Sequence, residues 1–390
     1  MPEQRRLVIV QDCETQFDAP LYADLHHNAA FALHVYYTQT KGVTGRLDPE
    51  LGTIPRWDHL QGIDYPHTHY AARDLLDSRR LAREIVRRDP THVILSGYSP
   101  PSHLLLALLL RRAGISIGLR SDNSLEHSSF RGLKGAVKRV VLPRILALYA
   151  AWHPVGGLAE TYLHTVSRTQ RPVFRFAYAT DNAWFAARSA ACHPQRSEWR
   201  EARGWGGSDR VILGVLKWHP REDPLTLVRA FIRLRQGNPK ARLVLIGDGP
   251  LRDAVHAAVA ECADAVYLPG YVPYSDLPCW YGLADLFVHP APSEPWGVSV
   301  NEAMACGLPV IASDGVGAGF DLIQEGVTGM RFPMGSVEAL ADRLQELTAD
   351  PDKRKAMGEM ARERVSGWDY GHTRQALEQV LAFAAAGGGR

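Results

Sequence analysis

The sequence predicts an α/β protein made of two Rossmann-like, doubly wound halves. Three observations carry this reading. The chain has 390 residues, enough for two or three domains at about 100–200 residues each. Short β-branched runs alternate with longer amphipathic stretches in both halves, the pattern of parallel sheets with helices on both faces. Residues 187–209 lack apolar periodicity and end in Gly204, Gly206 and Gly207, so they read as a linker. The expected plan is an N-terminal domain over 1–186, the linker over 187–209, a second domain over 210–366 and a C-terminal segment over 367–390.

In the first half the strand candidates are residues 7–11, 33–37, 92–96, 115–119, 150–154 and 173–176. Helices fit between several of them, at 103–113 and 135–148. In the second half strands fit 211–217, 242–246, 265–268, 286–289 and 309–312. Helices fit 225–236, 250–262, 296–306 and 337–347. Strands this rich in Val, Ile and Leu suit a sheet buried on both faces. Such sheets bind ligands beyond the carboxyl ends of their strands.

Composition removes several classes. A hydrophobic fraction of 46% with 22% charged residues excludes disorder, collagen and coiled coil. Lys plus Arg is 44 against 42 for Asp plus Glu, a net charge of +2, which argues against a nucleic-acid binder. The five cysteines, Cys13, Cys192, Cys262, Cys279 and Cys306, include no C-x-x-C pair. The expectation is therefore no disulfide framework, no zinc site and a reducing compartment. The apolar run Leu7 to Val10 is too short for a signal peptide. The longest apolar run, 104–110, is far below the ~20 residues that span a bilayer. A cytoplasmic protein is expected, monomeric or homodimeric. Residues 131–144 leave peripheral contact with the inner face of the membrane open. They carry Arg131, Lys134, Lys138, Arg139 and Arg144 among Val and Leu. Two readings stand: an interfacial helix on anionic lipid, or a solvated helix whose other face packs on the sheet.

The stretch PAPSEPWGVSVNEAMACGLPVIASDGVGAG holds the most chemistry. A buried strand over 286–289 ends in a Pro-rich loop with Glu294, and Pro295, Trp296 and Gly297 then open a helix that Gly307 ends. The first helical amides, around Gly297, Val298 and Ser299, have no intrahelical partner and sit at the positive end of the dipole, a ready anion site. Glu302 is the only charge in VSVNEAMA. Its carboxylate can accept hydrogen bonds from two neighbouring hydroxyls, such as those of a ribose, and Glu294 can meet hydroxyls on the next part of a ligand. Both could equally be ordinary exposed glutamates.

With its two glutamates seven residues apart, this frame resembles the signature of the retaining GT-B glycosyltransferases of family four. The resemblance extends across the second half. GDGP follows a strand as in that family, and GVTGMRFPMGSVEALADRLQEL resembles its closing strand and helix. The run YLPGYVPYSDLPCWYGLADLFVHPA resembles the segment that closes over the nucleotide base, with Gly270, Tyr271 and Val272 as donor contacts. LKWHPREDPLTLVRAF resembles the diphosphate-binding segment. Lys217 matches its first basic residue, but Glu222 stands where the family has a lysine, so either Arg221 substitutes or Glu222 faces away.

The resemblance implies two domains facing across a cleft, with the last segment crossing back to the first. It implies a nucleotide-diphosphate sugar as donor, of UDP or GDP type, and retention of configuration without divalent metal. Lys217 and Arg221 would hold the leaving diphosphate, Glu294 the donor sugar and Glu302 the ribose. Two other readings remain: a catalytically degenerate nucleotide-sugar-binding partner, motivated by Glu222, and another GT-B activity such as a sugar-nucleotide epimerase.

The first half resembles the family more weakly, through QFDAPLYADL, DPELGTIPRWD and HVILSGYSPPSHLLLALLLRRAGISIGLRSDN. Asp18 stands where many such enzymes carry a histidine. The N-terminal domain should bind the acceptor, with Asp12, Asp18, Arg120 and Asp122 as candidates placed just after strands or at a helix start. Each is also a natural cap or ion-pair residue. His67, His69 and the pair His26 and His27 lack a third ligand at a recognisable spacing, so no metal is expected. DGVGAG lacks the G-x-G-x-x-G spacing of a nicotinamide site, so no cofactor beyond the nucleotide sugar is expected.

Overall fold

Among the described residues, twelve short strands form two parallel sheets. The computed structural model describes residues 4–39, 48, 50–53, 64–70, 75–98, 101–126, 128 and 130–388. The first sheet comprises β1 (Arg6–Gln11), β2 (Ala32–Tyr37), β3 (His67–His69), β4 (His92–Ser96), β5 (Ile117–Ser121) and β6 (Ala151–Pro154). The second comprises β7 (Arg210–Val215), β8 (Ala241–Ile246), β9 (Val266–Gly270), β10 (Leu286–His289), β11 (Val310–Ser313) and β12 (Gly329–Phe332). Their orders are β3-β2-β1-β4-β5-β6 and β12-β11-β10-β7-β8-β9. Each has the doubly wound order of a Rossmann sheet, with its topological switch between the first and fourth strands. Ligands therefore belong beyond the carboxyl ends of β1 and β4 in one unit, and of β7 and β10 in the other.

One unit contains Met1–Thr44, Leu60–Ala179 and Tyr370–Arg390; the other contains Gly45–His59 and Thr180–Asp369. In the first, β1, β4 and β5 bury Val8, Val10, Val93, Leu95 and Leu119 under Leu81, Ile85, Leu106 and Leu110 of the flanking helices. The helix Tyr370–Ala385 packs in this unit against the helix Asp18–Asn28, and Arg374 pairs with Asp24 at 3.0 Å. In the second, Ile212, Leu243, Leu245, Val288 and Ile311 meet Leu227, Phe231, Leu340 and Leu344.

Several local expectations change. Residues 173–176 run beside β6 but form only an isolated bridge, Trp152 to Val173. β3 is a strand that no hydrophobic run announces. Residues 187–209 are not an irregular linker. Helices occupy Asn182–Cys192 and Arg196–Glu201, and Arg196 and Arg200 bind Asp285 at 2.6 and 2.8 Å. The short polar helix Arg196–Glu201, held through ion pairs, leaves no apolar period to read. The helix expected over 296–306 starts at Val298, because Gly297 has φ 93° and cannot continue a right-handed helix. Finally, Cys192 is bonded to Cys279 across a sequence separation of 87, which corrects the expectation of no disulfide. A pairing between helices so distant in sequence has no spacing signature.

Candidate active site

The second unit gathers charge beyond the carboxyl ends of β7 and β10. β7 ends at Val215, and the chain then turns tightly: the Glu222 and Asp223 amides both bond to the His219 carbonyl. Asp223 caps the next helix, Pro224–Gly237, accepting from the Thr226 amide at 3.2 Å. The loop after β8 packs directly on this turn. Gly249, at φ 153°, brings the two backbones so close that a Cβ there would sit 2.6 Å from the Trp218 carbonyl oxygen. The turn is thus fixed by backbone contacts, and it presents Lys217 and Arg221.

Both cations meet carboxylates. Lys217 Nζ lies 2.9 Å from Asp48 Oδ2 and 3.0 Å from Glu50 Oε2. Arg221 Nη2 reaches Glu50 at 3.0 Å and Glu222 at 2.9 Å, while its Nη1 donates to Glu294 Oε2 at 2.5 Å. Glu222, the departure from the expected lysine, is buried, and its Oε2 accepts the Lys217 backbone N–H at 2.7 Å. It is an anchor for the turn, and Arg221 is the second cation there. Burial and the Glu294 charge push the Glu222 carboxyl up to about 7, against the Lys217 amide and the Arg221 charge. Burial lowers the Lys217 and Arg221 pKa values, but their carboxylate partners outweigh it and both are raised, so both stay charged. The Arg221 hydrogen bond, opposed by burial and aided by Lys217, brings Glu50 down to about 2.

Glu294 sits on the loop after β10. Its amide bonds to the Gly315 carbonyl and its carbonyl accepts from the Gly317 amide, both at 2.9 Å, tying this loop to the one after β11. Gly297, Val298 and Ser299 follow and open the helix Val298–Ala305. A Cβ on Gly297 would lie 3.0 Å from the His289 ring, so only glycine lets the helix start this close to the strand end. Glu302 lies within that helix, buried, and accepts from the Tyr281 hydroxyl at 2.7 Å. Burial, partly offset by Tyr281, pushes its carboxyl up to about 7. Gly270 closes β9, and its carbonyl accepts the Gly247 amide at 2.9 Å; Tyr271 and Val272 follow at the same end of the sheet.

Sequence reasoning assigned no role to Asp48, Glu50, Tyr281 or His289. Asp48 and Glu50 come from a segment remote in sequence, and nothing in its composition announces a contact with Lys217. His289 ends β10. Burial holds it neutral, with its pKa lowered to about 4 despite Glu294, and neither ring nitrogen has a hydrogen-bond partner among the described residues.

In the first unit, Asp12, Asp18, Arg120 and Asp122 line one cavity of about 310 Å³ beyond β1, β4 and β5, with Ser96 and Tyr178. Its floor is a buried ion pair, Arg120 Nη1 to Asp18 Oδ1 at 2.9 Å, with the guanidinium 3.9 Å from the Phe176 ring centre. Gln11 Nε2 donates to Asp18 at 3.0 Å, leaving that pair well satisfied. Asp122 accepts from the Tyr178 hydroxyl at 3.0 Å, and Asp12 from Thr38 at 3.1 Å. Asp12 and Asp122 are the carboxylates available to hydroxyls entering the cavity. His67 and His69 lie on β3, where His69 pairs with buried Glu14 at 2.8 Å. Among the described residues, no group of three or more His, Cys, Asp or Glu side chains converges as a metal site.

Residues 195–364 match the family Glycosyl transferases group 1. Over 175 residues the chain is 35% identical to the GDP-mannose-dependent alpha-(1-6)-phosphatidylinositol monomannoside mannosyltransferase of Mycobacterium tuberculosis, covering 42% of this chain and 45% of that protein. It is 28% identical over 300 residues to the alpha-D-kanosaminyltransferase of Streptomyces kanamyceticus, covering 74% of each. The chain spans about half the length of the first curated relatives it matches. Among solved structures it is similar to Anabaena Alr3699/HepE in complex with UDP and glucose, with TM-score 0.72 and 15% identity over 97% of this chain and 100% of that one.

Proposed function

We propose that this chain, whose residues 195–364 match the family Glycosyl transferases group 1, is a GT-B glycosyltransferase that moves a sugar from a nucleotide-diphosphate sugar to a hydroxyl acceptor with retention. The observation that carries the proposal is the placement of Lys217, Arg221 and Glu294 together at the switch point of the second sheet, beside the helix start at Gly297. In this reading the diphosphate takes the place of Asp48 and Glu50 on the two cations. The amides of Val298 and Ser299 add the dipole of the helix start. Glu302 binds the ribose, Glu294 the sugar hydroxyls, and Gly270, Tyr271 and Val272 the base.

The bond from the anomeric carbon to the diphosphate oxygen breaks as the acceptor oxygen bonds to the same face of that carbon. The acceptor proton passes to the leaving phosphate oxygen, so no side-chain base is needed. Lys217 and Arg221 stabilise the charge growing on the leaving group, the term that dominates such steps. Their two positive charges supply what a divalent ion would otherwise supply. The acceptor enters over Asp12 and Asp122 in the first unit. The mannosyltransferase relative is named for GDP-mannose and the Anabaena structure holds UDP and glucose, so GDP and UDP sugars are the donors to test.

The degenerate-partner reading rested on Glu222. That residue anchors the Lys217 backbone and Arg221 lies beside it as a second cation, which favours a working site. The test is thermal stability with a panel of nucleoside diphosphates and nucleotide sugars, followed by donor hydrolysis and transfer to polyol acceptors, with and without chelator. Stabilisation by one base class, lost in Glu302→Ala, together with chelator-resistant turnover supports the proposal. A panel that leaves the protein unshifted refutes it.

A further inference from the structure

The helix Gly132–Leu146 of the first unit has two apolar faces, and its own domain covers one. Gly135, Leu142, Pro143 and Leu146 are buried inward. Among the described residues ten large hydrophobic side chains are exposed, and four stand on this helix: Leu133 at 83%, Val137 at 54%, Val140 at 51% and Val141 at 42%. At about 100° per residue these four fall within an arc of about 100°, opposite the buried set. A single outward aliphatic is ordinary, whereas a stripe of four is a contact surface. Lys134 and Lys138 flank the stripe, Arg131 caps the helix and Arg144 closes it. No Asp or Glu occurs from residue 127 to residue 159.

We propose that this face docks the protein on an anionic lipid surface. The helix lies in the interface with Leu133, Val137, Val140 and Val141 among the upper acyl segments, and Lys134 and Lys138 at the edge of the stripe meet the lipid phosphates. Charge decides the occupant. A two-fold dimer would set this patch against itself, bringing Lys134, Lys138 and Arg144 onto their own copies with no acid on the helix to pair them. An anionic membrane supplies the opposite charge and the apolar layer together. The inference goes beyond the transferase reading, because docking requires neither donor nor acceptor.

The experiment is co-sedimentation of the full chain with vesicles of phosphatidylcholine alone or mixed with phosphatidylglycerol, without nucleotide. The wild type should pellet with the mixed vesicles, less as salt rises, and stay in solution with phosphatidylcholine alone. Lys134→Gln with Lys138→Gln should weaken partitioning about 30-fold, at about 1 kcal/mol per cation. Leu133→Gln with Val137→Gln should weaken it comparably. All four side chains are exposed, so both variants should keep the wild-type melting temperature. Val140→Cys carrying an environment-sensitive fluorophore should shift to the blue on mixed vesicles only. Equal binding to both vesicle types, or none, overturns the proposal. So does a wild-type dimer in solution that Leu133→Gln with Val137→Gln dissolves, which would make this face an interface between copies. If docking holds while nucleotide sugars fail to bind, the transferase reading falls and this one stands.

Discussion

Separate Glu302→Gln and Glu222→Gln variants should tilt the pH dependence of nucleotide binding in opposite directions. Both carboxyls are pushed up to about 7 by burial, one where a ribose is expected and one beside the diphosphate. Glu302 must be ionised to accept two hydroxyl hydrogen bonds. With a pKa of about 7 its ionised fraction climbs from about a tenth near pH 6 to about nine-tenths near pH 8, so its share of the affinity rises about tenfold, or ~1.4 kcal/mol. Glu222 works the other way. Its Oε1 lies 2.9 Å from the guanidinium nitrogen that is to hold phosphate, so ionising it sets an anion about 6 Å from another. At an effective dielectric constant of ~20 that repulsion is about 3 kcal/mol before screening, enough to weaken binding about tenfold over the same interval. In the wild type the slopes offset and affinity stays nearly flat. Glu222→Gln leaves the Glu302 limb, so binding tightens with pH; Glu302→Gln leaves the Glu222 limb, so it weakens with pH. Titration calorimetry with UDP and GDP at constant ionic strength reads both. The stability sign differs for Glu302. Its folded pKa exceeds the unfolded one, so the folded state holds the extra proton between about 4.5 and 7 and stability falls as pH rises through that window. Glu302→Gln should therefore be more stable than wild type above about pH 7, by up to about 3 kcal/mol, even as it loses nucleotide. A flat profile in Glu222→Gln, or the same tilt in both variants, would refute these assignments.

Other perturbations test the neighbouring groups. Lys217→Ala and Arg221→Ala should each lower kcat/KM for transfer by about a hundredfold or more, the usual cost of removing a group aimed at transition-state charge. Glu50→Gln should instead tighten nucleotide binding, since it removes the carboxylate bridging both cations; weaker binding would show that Glu50 positions them. Acid should unfold the protein from within. Burial lowers the pKa of His153 and His289 to about 4 in the folded state, so below about 6.5 the unfolded state takes up more protons. Their contribution is complete above that pH and is lost as pH falls towards about 4, by about 3 kcal/mol each, which denaturant titrations at stepped pH would measure. Reducing the Cys192–Cys279 bond should lower unfolding free energy by no more than about 4–5 kcal/mol, the chain-entropy value for a loop of this length. Unfolding curves unchanged by reductant would show that the bond contributes nothing.

The sequence made the strand–helix alternation legible because a parallel strand is apolar on both faces and stands out from its surroundings. It left other features silent for definable reasons. β3 is His-Thr-His at a sheet edge, with nothing apolar to announce it. The helix Arg196–Glu201 is held through Arg196, Arg200 and Asp285, and ion pairs carry no period. The disulfide joins positions 87 apart, and Asp48 reaches Lys217 over a separation of 169. Asp12, Asp18, Arg120 and Asp122 could each be only a local cap when read alone. Sheet order turns them into one cavity wall, because β1 and β5 both flank β4 or lie beside it and end at the same edge.

Glu222 shows most clearly what spacing omits. Read along the chain, an acid replaces a lysine next to a diphosphate site, and the arithmetic of charge condemns it. Read in space, position and charge separate. The tight turn after β7 directs residue 222 inward, to the Lys217 amide, and carries residue 221 outward, to Glu294. A cation stands one residue earlier, and the acid anchors the Lys217 backbone and the Arg221 guanidinium. This makes a definite demand on Glu222→Lys, the change that would restore the family pattern. It would place an ammonium in the buried socket now holding a carboxylate, against the Lys217 N–H and the Arg221 guanidinium, at a cost of several kcal/mol. The variant should lose stability and nucleotide binding together, whereas Glu222→Gln should keep both near neutral pH. Gain of activity in Glu222→Lys would mean that the turn opens in solution and that residue 222 itself faces the diphosphate.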